Sequence, residues 1–274
     1  MKDLYTSIEN HYLKEGLFEE ILGRLKEQGI GPEEVSRTDI SGVDEFHVRG
    51  AAVSEELASL IDLGGARVLD VGCGIGGPCR MLAEKFDCNC VGIDLSAEFI
   101  KTATALSKLV GLQDNTSFLQ ANAVDLPFED LKFDVVWTQH VQMNIPDKAK
   151  LYSEIYRVLK PGGYFLYYDI FKTGKGEVTY PMPWANTAEQ SFLFGWEDMK
   201  ELLKGLGLSD ILSTDQTQAG INFFETLLTK LKEEGPPKIG LNVLMGEQTK
   251  PKLMNLLAHL KTAKLQLYSG AYKK

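Results

Sequence analysis

Apolar side chains in the first 60 residues recur every three or four positions, which is the spacing of one face of an amphipathic helix. The members of this face are Leu13, Leu17, Phe18, Ile21, Leu22 and Leu25. Residues 29–32 interrupt the spacing, and a further helix is predicted from about Ser54, whose hydroxyl can cap it, to Leu63. The pattern therefore predicts an N-terminal helical cap over residues 1–60.

Beyond residue 66, short apolar runs alternate with stretches of helical spacing. The apolar runs predict strands at 67–71, 89–93, 116–120, 133–137, 163–169, about 208–216 and 265–268. The stretches between them predict helices at 78–86, 97–109, 147–159, 196–206, 220–234 and 248–262. Such alternation implies right-handed crossovers and a doubly wound α/β fold with a mostly parallel sheet. Ligands of these sheets bind beyond the carboxyl ends of the strands.

Two segments interrupt the alternation. Residues 170–195 contain prolines, glycines and aromatic side chains without regular spacing, and a loop of that length is often functional. The aromatic side chains favour a substrate lid over a disordered segment. The helices within 220–262 precede the last strand and predict a C-terminal helical insertion. We therefore expect a helical cap followed by one domain over residues 61–274.

The composition is that of an ordinary globular protein, since 44% of the 274 residues are hydrophobic and 24% are charged. The net charge of −9 argues against a nucleic-acid partner, which would need a basic surface. No apolar run approaches the ~20 residues of a membrane span, and the first residues lack the apolar core of a secretion signal. We therefore expect no membrane partner and a cytoplasmic location, and the oligomeric state stays open.

The chain has four cysteines, namely Cys73, Cys79, Cys88 and Cys90. Their spacing contains neither a paired C-x-x-C nor a following H-x-x-x-H, so it fits no zinc pattern. Cys88 and Cys90 would share one face of a strand, which favours two buried, small apolar groups. No metal site is therefore expected.

A glycine turn follows the first predicted strand. Gly72, Gly74 and Gly77 match the G-x-G-x-x-G pattern of dinucleotide sites, which alone is a weak signal. Asp70 at the strand end is unfavourable for a pyrophosphate of like charge, but it suits a ligand with a sulfonium and an ammonium. Asp94 ends the next strand about 20 residues further on, where an acid accepts hydrogen bonds from ribose hydroxyls. Together these residues favour a site for S-adenosylmethionine (SAM).

Five motifs in order resemble those of the class I SAM-dependent methyltransferases. They lie at 68–77, 91–96, 122–128, 133–137 and 157–163. The segment D-E-F-H-V-R-G at 44–50 is similar to the sarcosine/dimethylglycine N-methyltransferase branch, and more loosely to the ubiquinone/menaquinone methyltransferases. The resemblance implies a Rossmann-like sheet of seven strands whose last strand is antiparallel.

The resemblance also implies which residues bind the cofactor SAM. These residues are Asp70, Gly72, Cys73, Gly74, Asp94, Leu95, Asn122, Ala123 and Gln139. Residues 70–74 would contact the methionine end, Asp94 the ribose, and the residues from Leu95 onward the adenine, while Gln139 follows the fourth strand near the methyl group. Many relatives have aspartate at the position of Asn122, whose carbonyl oxygen can still meet the adenine amino group.

The acceptor side gives a less specific signal. A hydroxyl acceptor needs a base, whereas an amine that arrives deprotonated does not. Related small-molecule O-methyltransferases pair a histidine before Pro-Asp with an acid that closes the fifth strand. This chain has the acid, Asp169, but Asn144 replaces the histidine, which favours an amine unless His140 or His47 supplies the imidazole. His140, Asp169 and His47 are therefore the candidate catalytic residues.

Four further side chains are candidates for acceptor binding, namely Tyr12, Phe46, Asn144 and Trp184. Aromatic rings such as Phe46 and Trp184 can hold a methylated ammonium through cation–π attraction. The pocket itself would discriminate between acceptors. A long apolar pocket suits a prenyl chain, and a small acidic or aromatic pocket suits an amine.

The sequence thus predicts an enzyme that transfers a methyl group from SAM to a small molecule and releases S-adenosylhomocysteine (SAH). The expected acceptor is an amine of the sarcosine or dimethylglycine type. An O- or C-methyltransferase of a small hydroxylated or quinone-like acceptor is the alternative within the class. A SAM- or nucleotide-binding protein without turnover is the alternative from another class.

Overall fold

A seven-stranded sheet forms the centre of the protein, for which the computed structural model describes residues 14–235 and 237–274. The strands are β1 (Arg67–Val71), β2 (Asn89–Asp94), β3 (Thr116–Gln120), β4 (Phe133–Gln139), β5 (Leu159–Lys172), β6 (Ser209–Asp215) and β7 (Leu265–Lys273). Their order in the sheet is β3-β2-β1-β4-β5-β7-β6. The order reverses at β1, where β2 and β4 leave on opposite sides, and such a switch point is where doubly wound sheets bind ligands.

The strand directions confirm the predicted Rossmann-like sheet. Strands β1 to β5 pair in parallel, and β7 is antiparallel to both β5 and β6. Strand β5 is longer than the predicted 163–169, because it pairs with β7 from Tyr164 to Lys172. Successive residues of β1 pack into different apolar clusters, with Val68 on one face and Leu69 on the other. The sheet is therefore covered on both faces, as parallel strands require.

Helices flank the sheet and precede it. They are α1 (Leu17–Lys26), α2 (Arg37–Asp44), α3 (Ala51–Ala58), α4 (Gly77–Phe86), α5 (Ala97–Leu109), α6 (Lys148–Val158), α7 (Trp196–Gly205), α8 (Thr217–Glu234), α9 (Asn242–Met245) and α10 (Thr249–Lys261). Local capping explains two of the starts. The hydroxyl of Ser96 accepts from the backbone N–H of Phe99, and the carboxylate of Asp147 accepts from that of Lys150.

The helix predicted from Ser54 to Leu63 is displaced toward the N-terminus and spans Ala51–Ala58. Ser54 is fully buried inside this helix and does not cap it. Its hydroxyl instead donates to Glu45 Oε2 at 2.9 Å. The prediction was wrong at this point because a tertiary contact uses the hydroxyl that the local pattern assigned to the cap.

The end of α2 docks onto the glycine turn at the start of α4. A Cβ on Gly77 would lie 1.8 Å from the carbonyl oxygen of Asp44, so only glycine permits this approach. The carboxylate of Asp44 accepts from Arg80 Nη2 at 2.6 Å, and both side chains are at most 1% exposed. Arg80 also donates to the carbonyl of Ile75 at 2.7 Å. A fully buried ion pair thus fixes the N-terminal helices against the turn.

Replacing Asp44 by alanine should lower the free energy of unfolding by about 3–5 kcal/mol, because it leaves the Arg80 guanidinium buried without its counter-charge. Urea unfolding followed by circular dichroism measures this loss. The matched control is Glu55→Ala, which removes an exposed pair with Lys85 and should cost only about 0–1 kcal/mol. Equal losses in the two variants would contradict the role of the buried pair.

Two segments complete the described chain. Helices α8 to α10 lie between β6 and β7 and form the predicted C-terminal insertion, in which α10 packs on α8 and β7. Residues 173–195 contain one short 3-10 turn at Ala188–Gln190. Across the described ranges, no helix has both the length and the apolar character that crossing a membrane requires.

Candidate functional site

A cleft opens beyond the carboxyl ends of β1 to β4 and encloses about 1140 Å³ of space, its open mouth included. All nine residues predicted to bind the cofactor line it, namely Asp70, Gly72, Cys73, Gly74, Asp94, Leu95, Asn122, Ala123 and Gln139. They meet there because parallel strands bring their carboxyl ends to one edge of the sheet. Their individual binding roles remain predictions.

Gly74 exposes bare backbone to this cleft. Its φ is +54°, in the left-handed region that favours glycine, and a Cβ built on it would have no neighbour within 4 Å. The turn therefore leaves room for a ligand to lie directly against peptide groups.

Asp70 places a carboxyl at the floor of the cleft with little solvent around it. The residue is 2% exposed, and its Oδ2 accepts from the thiol of Cys79 at 3.4 Å. Burial, with a smaller contribution from the charge of Asp94, raises the pKa of the Asp70 carboxyl to about 7. Within the described ranges, no lysine or arginine forms an ion pair with it. A ligand with a positive charge would supply the missing partner.

Asp94 connects the end of β2 to the glycine turn. Its Oδ2 accepts from the backbone N–H of Gly74 at 3.0 Å, and its Oδ1 accepts from that of Ser96 at 2.9 Å. Burial raises the pKa of this carboxyl, while the backbone hydrogen bonds oppose the shift. Each carboxylate oxygen keeps acceptor capacity for a hydroxyl group in the cleft.

The adenine side of the cleft is more apolar. Leu95 and Ala123 line it together with Phe99, which the sequence did not single out although it lies in the predicted helix 97–109. Asn122 Oδ1 accepts from the backbone N–H of Val124 at 3.1 Å, which holds this amide in place. A flat ring could pack between these side chains.

His140 follows β4 in an unusual backbone conformation. Its φ is +53°, and its backbone N–H donates to the carbonyl of Tyr168 at 2.8 Å. The Nε2 atom is buried and has no hydrogen-bond partner among the described residues. Burial, and secondarily the charge of His47, holds the pKa of His140 well below its usual range. The ring is therefore a neutral imidazole.

The comparisons with known proteins agree with this geometry. A family model described as a methyltransferase domain matches residues 69–167. The tocopherol O-methyltransferase, chloroplastic, of Arabidopsis thaliana is 33% identical over 258 residues, which cover 87% of this chain and 74% of the relative. The chain belongs to the class I SAM-dependent methyltransferases.

Other relatives of this methyltransferase differ in the atom they methylate. Phosphoethanolamine N-methyltransferase 1 of Arabidopsis thaliana is 33% identical over 175 residues, which cover 62% of this chain but only 34% of that protein. A crystal structure of a putative sarcosine dimethylglycine methyltransferase from Galdieria sulphuraria superposes with a TM-score of 0.65 at 21% identity, covering 82% of this chain and 86% of that one. The enzyme thus uses SAM to methylate a small molecule, and kinship leaves the acceptor atom open.

The cleft of this methyltransferase fits SAM. The carboxyl of Asp70, which lacks a cation, would face the positive end of the donor, and the bare turn at Gly74 would contact its methionine part. Asp94 would accept from the ribose hydroxyls. Bound SAM supplies a methyl group on a sulfonium, which is the electrophile of the reaction.

A second, apolar cavity adjoins the cleft and encloses about 370 Å³ of space, its open mouth included. Its lining includes Phe46, His47 and His140, and these three residues also line the cleft. The rest of its wall comes from the segment before α3, from β5 and the segment after it, and from the C-terminal insertion: Val48, Ile170, Pro183, Phe223, Phe224, Leu227, Leu241, Met245, Leu253 and Leu256. The shared residues therefore mark the junction of the two cavities.

Asp169 does not line either cavity, although the sequence made it a catalytic candidate. Its Oδ2 accepts from the backbone N–H groups of Val141 and Gln142, at 3.4 and 3.2 Å, and its Oδ1 accepts from that of Ile170. The carboxyl thus lies beneath the turn that presents His140. This position supports a role through the turn and offers no direct contact with the reacting atoms.

The four residues predicted to bind the acceptor do not lie together in one site. Phe46 and Asn144 line the cleft, and the amide of Asn144 donates to the carbonyls of Trp184 and Gln190. Trp184 is 2% exposed, lines neither cavity and donates its indole N–H to Ser191. It therefore does not form the expected cage with Phe46, because its ring packs into the core. Tyr12 lies outside the described residues.

Several residues of the cleft wall were not predicted from the sequence. Val141 and Ile145 belong to the turn after β4, and Ser96 lies beside Asp94, so proximity to the motifs was a usable signal. Leu244 belongs to α9 in the C-terminal insertion and reaches the cleft by tertiary packing alone. No local pattern marks that residue.

Proposed function

We propose that the enzyme transfers the methyl group of SAM to a hydroxyl of an apolar small molecule, such as a phenol with a hydrocarbon tail. The observation that supports this is the apolar cavity, which meets the cofactor cleft at His140. The hydroxyl would lie at the junction of the two cavities. The tail would occupy the apolar cavity.

The chemistry of the cavity wall favours this acceptor over the amine that the sequence favoured. Among the described residues, no carboxylate lines the apolar cavity, and its two imidazoles, His47 and His140, both have pKa values lowered by burial. A zwitterion such as sarcosine would lose its hydration there without a counter-charge, which is costly. A hydrocarbon tail would gain about 0.8 kcal/mol for each buried methylene.

His140 supplies the base that a hydroxyl acceptor requires. The residue lines both cavities, and its neutral imidazole has an Nε2 without a partner among the described residues, so we expect it to take the proton as the acceptor oxygen attacks. The surrounding apolar side chains exclude water, which favours an in-line displacement over hydrolysis. His140 therefore takes the role of the histidine that related O-methyltransferases have at the position of Asn144. The relative named tocopherol O-methyltransferase is consistent with an oxygen acceptor.

A matched panel of acceptors tests the proposal by SAH release and by the mass of the methylated product. The panel contains p-octylphenol, phenol without the tail, p-octylaniline, sarcosine and dimethylglycine. We expect kcat/KM for p-octylphenol to exceed that for phenol at least about tenfold, because the tail buries apolar surface. Turnover of sarcosine or dimethylglycine with no turnover of either phenol would overturn the proposal.

Two variants on α8 locate the tail. Leu227→Lys puts a charge into the wall of the apolar cavity and should raise KM for p-octylphenol at least about tenfold without raising it for phenol. Thr229→Lys adds the same charge at an exposed position of the same helix and should leave both values unchanged. Equal effects of the two variants would exclude this cavity as the tail site.

A further inference from the structure

His47 and Glu45 form a buried pair next to the junction. Glu45 Oε2 lies 3.2 Å from His47 Nε2, and each side chain is 4% exposed. The other carboxylate oxygen, Oε1, is buried and has no partner among the described residues. Glu45 lies in the segment 44–50, but the family resemblance implied no role for it.

The hydrogen bonds around His47 allow two tautomers. Gln139 Nε2 lies 3.1 Å from His47 Nε2 and must donate, because its own Oε1 accepts from the indole of Trp137 at 2.8 Å. This contact favours an unprotonated Nε2. The carboxylate of Glu45 and the carbonyl of Gly50, at 3.1 Å, are acceptors and favour a proton on Nε2. The hydroxyl of Ser54 lies 3.0 Å from the same nitrogen and donates to Glu45 Oε2, so it can accept from His47. The ionised Glu45 carboxylate therefore favours the proton on Nε2, both by its own contact and through Ser54.

The hydrogen bonds of the His47 ring leave Nδ1 as the nitrogen that can face the two cavities. Within the described ranges, the hydrogen-bond contacts of the His47 ring all involve Nε2, and His47 lines both cavities. The centroids of the His47 and His140 rings are 6.0 Å apart. Because His140 Nε2 has no hydrogen-bond partner among the described residues, a proton would pass between the two rings through one water.

We propose that Glu45 is a positioning residue, which holds His47 with its proton on Nε2 so that Nδ1 receives the acceptor's proton from His140. This inference rests on the role of His140 in the proposed function. In the step, the O–H bond of the acceptor breaks and its proton moves to His140 Nε2 and then to His47 Nδ1. The oxygen lone pair forms the bond to the methyl group as the methyl–sulfur bond of the donor breaks, and the electron pair of that bond stays on the sulfur of SAH. The positive charge left on His47 is balanced by the Glu45 carboxylate.

The burial of Glu45 and the charges around it set the pH range of this transfer of a proton from the acceptor through His140 to His47, which we call the relay. Burial, together with the charges of Asp44 and Asp70, raises the pKa of Glu45 to about 8, against the hydrogen bond from Ser54 and the charge of Arg37. Burial lowers the pKa of His47 to about 4, and Tyr168 packs edge-on against its ring. Because the relay needs the ionised carboxylate, kcat/KM should rise as the pH increases through about 8.

Glu45→Gln tests the relay, because it keeps the shape of the side chain and removes the charge. With the acceptor that the panel identifies, we expect kcat to fall about 10²-fold with KM nearly unchanged, and the rise of kcat/KM near pH 8 to disappear. Glu55→Gln, on the exposed face of α3, is the control and should keep both the rate and the pH profile. A lower kcat with the rise near pH 8 intact would mean a merely structural role and would overturn the proposal.

A second readout does not depend on the acceptor. Above the pKa of Glu45, which is about 8, nitrogen-15 NMR of the SAH-bound enzyme should find the His47 proton on Nε2 in the wild type and on Nδ1 in Glu45→Gln. The same tautomer in both proteins would overturn the proposal. Failure of every phenol in the panel, with the tautomer shift present, would instead count against the proposed acceptor and leave the orientation of His47 by Glu45 supported.

Discussion

Replacing His140 by asparagine is expected to lower kcat for the tailed phenol about 10²- to 10⁴-fold, which is the range for loss of a general base. The amide cannot take up the hydroxyl proton. Asparagine tolerates the φ of +53° at this position, so the turn after β4 should keep its shape. Initial rates of SAH release at saturating acceptor measure the effect.

The affinity for SAM separates a lost base from a damaged site. Calorimetric titration of His140→Asn should give nearly the wild-type dissociation constant for SAM, because all the predicted donor-binding residues except Gln139 lie on other strands and turns. The circular dichroism melting curve should also be unchanged. A variant that turns over the phenol at the wild-type rate would refute the assignment of His140 as the base.

Replacing Asp94 by alanine is expected to raise the SAM dissociation constant about 10- to 100-fold, because each hydrogen bond to a charged acceptor contributes about 1.5–3 kcal/mol. The half-buried carboxylate lies at the end of β2, where it contacts the glycine turn and lines the cleft. Calorimetry with SAM measures the change directly.

Asp94 also accepts from the backbone of Gly74 and Ser96, so a weaker affinity alone has two explanations. A double-mutant cycle separates them by comparing SAH with an analogue that lacks both ribose hydroxyls. The wild type should lose affinity for the analogue, whereas Asp94→Ala should bind both ligands alike, with a coupling of about 0.5–3 kcal/mol. A full loss in both proteins would contradict the ribose contact.

The local pattern predicted most elements closely. The strand 67–71, the strand 116–120 and the helix 97–109 have the bounds that the sequence indicated. These elements depend on hydrophobic periodicity and on nearby caps such as Ser96, which are local properties. The prediction failed at Ser54, whose hydroxyl donates to Glu45 and does not cap a helix. The predicted strand 163–169 was also too short, because pairing with β7 extends β5 to Lys172.

The candidate site was likewise predicted only in part. The nine predicted cofactor residues meet in one cleft, because each lies at or just after a parallel strand and the fold class alone brings those ends together. The apolar cavity was not predictable, since its wall combines the turn after β4 with α8 to α10, far away in the chain. The inferred preference for an amine came from the resemblance of the segment 44–50 to an N-methyltransferase branch and from Asn144 at the histidine position, and neither carries information about the apolar cavity.

The amino-acid sequence by itself determined the class of the enzyme and the edge of the sheet where its donor binds, because glycines and strand-end acids act through their immediate neighbours. Only the tertiary structure decided that His140 and His47 line both cavities, that the C-terminal insertion supplies an apolar wall and that Glu45 lies beside His47. Burial, tautomers and unpartnered atoms such as His140 Nε2 arise when distant segments pack together, and no spacing along the chain encodes them.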